Sequence, residues 1–262
     1  DVTFYTVLHH VLSNRRYLDD VFGPQDQYYR HALIKAATGC DKILAVGEDI
    51  ERELRFLGPC MSEADIEIAY NGIPFEQISL DARKLSRERL RDYAAALLGD
   101  RPDYIFTHVT RTVTSKGLWR DFRVLEHLEK KFRHTGKSAV LFVLSTELPA
   151  RSPEEVTYME AEWGWPLAHR EQGSDLTHNE AIFHTGVQRF NARAQQIKIV
   201  FVNQFGWSQA LCGERMPTEM SLRDLRRGTD VEFGQSIYEP FGISHLEPLT
   251  YGGICVVSRV CG

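Results

Sequence analysis

SIYEPFGISHLEPLTYGGICVVS, Ser236 to Ser258, is the stretch that decides how this chain is read. A strand ends at Ser236, and a turn holds Glu239-Pro240-Phe241-Gly242. A helix is expected from about Ile243, until Gly252-Gly253 releases a further strand, Ile254 to Ser258. Pro240 falls where no helical hydrogen bond is needed, and Gly242 lets backbone approach a ligand closely. A helix starting at the carboxyl end of a strand turns its free N–H groups and positive dipole end toward that edge, where they can hold an anion. Glu239 stays in the turn, and Glu247 lies about one and a half turns down the helix. Two acids so spaced can accept hydrogen bonds from sugar hydroxyls. The plainer alternative is a helix start with two incidental surface acids.

Outward from this stretch, short apolar runs alternate with long polar-faced segments. The runs are Val2–Leu8, Lys42–Val46, Ile66–Tyr70, Tyr104–Val109, Ser138–Leu144, Ile197–Val202 and Val231–Ser236. Most are nearly continuous rather than alternating, as expected of parallel strands covered on both faces. Helices are expected over Gln27–Thr38, Glu48–Leu57, Leu80–Leu98, Leu118–Phe132, Thr177–Gln195 and Ser221–Arg227. In EDIERELRFL, Ile50, Leu54 and Leu57 recur at i, i+4, i+7 on one face. Strand and helix taking turns means an α/β chain with doubly wound parallel sheets.

A boundary is expected near 99–103, where GDRPDY breaks a charged helix with Gly and Pro. This gives a first part of residues 1–100 and a second of 101–262. Each reads as incomplete: the first holds about three strands, and the second stops just after a strand. Residues 145–196 exceed what a strand-helix-strand step needs and read as an insertion of unassigned role.

The 262 residues are 43% hydrophobic and 26% charged, which fits a folded chain rather than a disordered one. A net charge of −5 argues against nucleic acid as a partner, since no excess of cations is there to neutralise phosphates. The apolar runs are far shorter than the roughly 18 residues a membrane span needs. No leader is visible at Asp1, so a cytoplasmic location is expected. Cys40, Cys60, Cys212, Cys255 and Cys261 are odd in number and scattered, as for reduced thiols.

A second motif lies in HVTRTVTSKGLWRDFRVLEHL, His108 to Leu128, which puts Arg111 and Lys116 in a loop between a strand and a helix. Two cations at a strand's carboxyl end suit a departing diphosphate, whose charge they neutralise without a metal. Arg offers a fork for phosphate oxygens, and Lys a point charge. A solvated basic pair beside a helix start is the alternative.

The first stretch resembles the Glu-x7-Glu signature of retaining, GT-B-fold glycosyltransferases, the glycogen-synthase-like group. Glu239 and Glu247 have the required spacing, and the flanking Pro-Phe-Gly, Gly-rich turn and apolar strand continue the match. The Arg111 to Lys116-Gly117 loop is similar to the family's diphosphate-holding loop. ILAVGEDIERELRFLG and IEIAYNGIP resemble its last strands before the crossover, with Gly47 where Ser is usual and Pro74 where Asp is frequent. In FYTVLHHVLSNRR the reading has a strand end in His9-His10, and similar enzymes carry a His there reaching toward the donor sugar. One sequence does not say which of the two aligns.

The resemblance implies a GT-B fold of two Rossmann-like lobes, cut short at both ends: 1–100 on the acceptor side, 101–262 binding the nucleotide sugar. It implies a metal-independent, retaining hexosyltransferase moving a sugar from a nucleotide-diphosphate sugar to a glycan or other hydroxyl acceptor. Glu239, with His9 or His10, would be catalytic. Arg111, Lys116, Phe241, Gly242, Ile243 and Glu247 would bind the donor, Glu247 at the ribose and Glu239 at the sugar hydroxyls. No cofactor or metal is called for, and peripheral membrane contact and oligomeric state are left open. The rival reading is a non-catalytic sugar-nucleotide or glycan-binding module, or a fragment of a larger glycosyltransferase. No Gly-x-Ser-x-Gly, P-loop, His-Glu-x-x-His or Gly-x-Gly-x-x-Gly occurs to support other chemistries. Trp119 is expected in the core, Trp163 and Trp165 in the core or as sugar platforms, and Asn203–Pro217 near the base.

Overall fold

A computed structural model of the chain describes residues 2–170 and 175–259. Cys261, one of the thiols expected to be reduced, lies outside the described residues, as do four residues of the expected insertion. Cys40, Cys60, Cys212 and Cys255 are free thiols. Burial pushes the Cys212 thiol up to about 12 and Cys255 to about 11. No helix among the described residues is long and apolar enough to cross a membrane.

The chain divides into two compact units. The first runs to Gly72 and takes in Ile237–Gly242; the second comprises Ile73–Ser236 and Ile243–Ser258.

In the first unit the elements are α1 (Val2–Ser13), α2 (Leu18–Phe22), α3 (Tyr29–Lys35), β1 (Ile43–Ala45), α4 (Glu48–Phe56), α5 (Pro59–Glu63) and β2 (Ile66–Ile68). β1 and β2 pair in parallel, Ile43 opposite Ile66, with α4 as part of the crossover. The strand expected over Val2–Leu8 is instead the start of α1. Its β-branched and aromatic composition reads locally as strand, but Leu8, Val11 and Leu12 fall at i, i+3, i+4 and give the helix an inward face. Leu8 is buried, and α1 packs on α4.

The second unit opens with α6 (Leu80–Leu98), then β3 (Tyr104–Val109), α7 (Trp119–Thr135), β4 (Ala139–Leu144), α8 (Pro153–Trp163), α9 (His178–Arg193), β5 (Ile197–Val202), α10 (Gln209–Cys212), α11 (Leu222–Gly228), β6 (Val231–Gly234), α12 (Ile243–Leu246) and β7 (Ile254–Val257). Its sheet is all parallel in the order β5-β4-β3-β6-β7. Along β4, Val140, Phe142 and Leu144 face a core with Leu90 and Tyr93 of α6, Trp165, Trp207 and Leu225. The intervening Ala139, Leu141 and Val143 face the opposite core with Leu125 of α7 and Phe183, Val187 and Phe190 of α9. Period-two alternation with both faces apolar is why the run reads as continuous.

α6 belongs with this sheet, so the division falls after Gly72 rather than near residue 100. The Gly-Pro break at 99–102 is real, but it turns α6 back onto the second unit. α11 lies so close to α6 that a Cβ on Gly228 would sit 2.7 Å from the Arg87 backbone nitrogen. Ser86 Oγ donates to Asp224 Oδ1 (2.8 Å), Arg89 pairs with the same carboxylate (3.0 Å), and Arg87 is bidentate on Asp230 (2.9 and 3.0 Å).

The 145–196 segment contains α9, the expected crossover helix, and α8, which was not expected. Ser152 and Glu155 form a reciprocal capping box with Pro153 in the first turn, a start signal present in the sequence. Trp165 is wholly buried and donates from Nε1 to Asn203 Oδ1 (2.9 Å), so it is a core residue. Trp119 is 46% exposed, against the core position expected, with the Arg120 and Arg123 guanidinium carbons 5.3 and 5.0 Å from its ring centre. On the α7 side, Glu129 accepts from the backbone N–H groups of Gln195, Gln196 and Ile197 at the entry to β5, and from Arg133.

Candidate functional site

β3 ends at Val109, and the chain then runs through exposed Arg111 and buried Thr112 into a single 3-10 turn, Thr114–Lys116, before α7. The turn is anchored from within. His108 on β3 is buried, and its Nδ1 lies 2.6 Å from Asp121 Oδ2 in the first turn of α7. Burial alone would lower the imidazole's pKa, but the charge and hydrogen bond of Asp121, with Glu232 behind, raise it. Lys116, in the turn that follows, acts on the same imidazole in the opposite sense.

β6 leaves the sheet beside this loop. Its Glu232 is fully buried and accepts from Val109 N–H (2.9 Å) and from the Thr107 hydroxyl. Arg226 of α11, itself nearly buried, pairs through one terminal nitrogen with Glu232 Oε1 (3.2 Å) and through Nε with Glu247 Oε2 (2.8 Å). Arg120 of α7 donates to the carbonyls of Gln235 and Ser236 (3.1 and 3.2 Å), tying the exit of β6 to the helix after the Lys116 turn.

The helix expected from Ile243 is shorter than read. α12 is one turn and continues as a 3-10 segment, Glu247–Tyr251. Pro248 has no N–H to donate back to the helix, so the α-helical ladder stops there. A Cβ on Gly234 would sit 2.5 Å from His245 Cγ, so the glycine at the end of β6 is what lets α12 press onto the strand. Ile243 is exposed and Glu247 partly so.

The remaining residues expected at the site group with the first unit. Tyr238, next to Glu239, donates to Glu53 Oε2 (2.9 Å), and burial with the charge of Glu53 pushes its phenol pKa up. Phe241 lies 6.2 Å from the Tyr70 ring, and Gly242 has a positive φ of 81°. His9 and His10 are exposed on α1 rather than at a strand end, and the Asn14 amide packs against His10. Thus Arg111, Lys116, Ile243 and Glu247 belong to one unit, and Glu239, Phe241, Gly242, His9 and His10 to the other.

Arg226, Glu232, His108–Asp121 and Arg120 escape a sequence reading. Only Glu232 leaves a trace, a carboxylate inside the apolar run VEF. Of the segment expected near the base, Trp207 and Cys212 are core residues, whereas Phe205 is 72% exposed.

The fold has counterparts among solved structures. A UDP-forming α,α-trehalose-phosphate synthase from Burkholderia xenovorans in complex with glucose-6-phosphate matches with a TM-score of 0.56 at 15% identity, over 88% of this chain and 48% of that one. A trehalose-6-phosphate synthase from E. coli, bound with UDP-2-fluoro glucose, gives 0.54 at 15% identity, over 94% and 52%. The sucrose-phosphate synthase of Thermosynechococcus elongatus gives 0.50 at 17% identity, over 88% and 45%. This is the GT-B fold. The chain spans about half the length of these GT-B proteins. No family model matches it, and no curated protein matches its sequence.

Proposed function

We propose that the chain is the donor-binding part, with a portion of the acceptor side, of a glycosyltransferase that uses a nucleotide-diphosphate sugar. One observation carries the reading. Chain order runs outward from β3 to β4 and β5 on one side, and from β6 to β7 on the other, so the direction reverses between β3 and β6. Open α/β sheets bind ligands outside the carboxyl ends of strands at such a switch point. Arg111 and Lys116 follow β3, and Glu247 follows β6.

In this reading Arg111 and Lys116 neutralise the charge that develops on the departing diphosphate. Glu247 accepts hydrogen bonds from the ribose, and amides near Gly242 and Ile243, beside Phe241, add donors. Glu239 orients the donor sugar's hydroxyls, and either His9 or His10 reaches toward that sugar; these roles rest on the motif's resemblance. The same resemblance supports retention of configuration: the acceptor hydroxyl attacks from the leaving group's own face within a short-lived ion pair. Catalysis is then positioning and electrostatics, with no protein nucleophile, metal or cofactor called for.

The neighbours, one bound with UDP-2-fluoro glucose and one UDP-forming and in complex with glucose-6-phosphate, make UDP-glucose and a phosphorylated sugar the first pair to try. Calorimetric titration with UDP, ADP and GDP, repeated on Lys116→Ala and Glu247→Ala, tests the reading. Selective binding of one nucleotide, weakened by both substitutions, is expected. No binding at millimolar concentration overturns it. Binding without transfer favours the second reading, a sugar-nucleotide-binding module.

A further inference from the structure

We infer that Arg226 is a positioning residue that sets the preference of this site for ribonucleotides, by fixing the carboxylate of Glu247. The inference rests on the proposed donor site and adds residues to it that neither the motif nor the fold assigns.

Glu247 sits at the start of a short 3-10 segment just after a one-turn helix, a weak scaffold for a carboxylate that must meet a diol. Its side chain is 33% exposed, so one face is open. The other face is held by charge rather than by an aligned hydrogen bond: Arg226 Nε lies 2.8 Å from Oε2, and Arg226 is 8% exposed. A guanidinium buried to that degree needs a second anion, and Glu232 supplies it 3.2 Å away, itself fixed by Val109 N–H and the Thr107 hydroxyl. The line from β3 through Glu232 and Arg226 to Glu247 therefore transmits the rigidity of the sheet to an otherwise loosely held acid. Beside it, Arg226, Glu247, Arg223 and Tyr251 line a cavity of about 170 Å³. With Oε2 drawn to the charge of Arg226, the carboxylate of Glu247 keeps one direction, the requirement for recognising two adjacent hydroxyls.

The test compares UDP with 2′,3′-dideoxyuridine diphosphate by calorimetry. The wild-type chain should prefer UDP by about tenfold or more, the scale of hydrogen bonds to a charged group. Arg226→Met alone strands the buried Glu232 charge, so Arg226→Met/Glu232→Gln removes cation and anion together and keeps an acceptor for Val109 N–H. In that double variant the preference should fall to about twofold or less, with dideoxy binding unchanged, since only the hydroxyl contacts are lost. Arg226→Lys should restore part of it. A merely structural role would weaken both ligands alike, and that result, or an unchanged preference, overturns the inference while leaving nucleotide binding intact. A wild-type chain that binds neither ligand overturns the donor-site reading and this one with it.

Discussion

Arg87 of α6 grips Asp230 at the mouth of β6 with two nitrogens, 2.9 and 3.0 Å from the two carboxylate oxygens. The second of those oxygens also accepts the backbone N–H of Ile105 on β3 (2.8 Å). One carboxylate thus joins a helix and two strands across 143 residues of sequence.

Removing it should be costly. Asp230→Ala leaves a partly buried guanidinium and the Ile105 N–H without their acceptor, and is expected to destabilise the second unit by about 2–3 kcal/mol. Asp230→Asn, which keeps an acceptor for Ile105, should lose less. Urea denaturation of the two variants checks both values.

Gly228→Ala tests the contact between α6 and α11. The added methyl would meet backbone atoms of Ser86 and Arg87 at 2.7–2.8 Å, which no side-chain rotation relieves. A loss of about 1–3 kcal/mol is expected from overpacking. A neutral result in thermal melting would mean that the helices separate freely.

Lys116→Ala carries the catalytic prediction. If the ammonium neutralises the departing diphosphate, turnover with UDP-glucose and a phosphorylated sugar should fall about a hundredfold, within the roughly 2.7–4 kcal/mol of one lost oxyanion donor. Unchanged turnover would remove Lys116 from the mechanism.

Acid should weaken the second unit through His184. The ring is buried with its centre 4.6 Å from that of His169, and desolvation, with the His169 charge, lowers its pKa from 6.5 to about 4. The folded state therefore resists a proton that the unfolded chain accepts. Stability is complete above about pH 6.5, falls as pH drops, and is lower by up to about 3 kcal/mol below pH 4. His184→Leu should flatten this part of the profile in denaturation midpoints measured from pH 7 to 4.5.

What the sequence disclosed follows from how each element is stabilised. β3, β4 and β5 are legible because burial on both faces demands nearly continuous apolar runs, and α6 because one long charged segment ends at a Gly-Pro break. α1 is misread because its apolar residues crowd at the N-terminal end, where strand and helix patterns look alike over seven residues. α8 is hidden behind the length of its loop, although Ser152-Pro153-Glu154-Glu155 announces it. The compact units part after Gly72, which a break in a helix does not disclose, since it says nothing about which sheet that helix covers. For the site, Arg111, Lys116, Glu239 and Glu247 stand out by spacing. Arg226 and Glu232 do not, since their partners come from other elements and a long-range ion pair leaves no periodic mark.

The Glu129 carboxylate has a further effect. By collecting the amides of Gln195, Gln196 and Ile197, it fastens the entry to β5 to a helix from which one strand and two helices separate it. Those protons cannot meet solvent by fraying of β5 alone, because α7 must let go first. Their deuterium exchange should therefore be as slow as that of the interior of β4, and should quicken to the pace of a surface turn in Glu129→Gln.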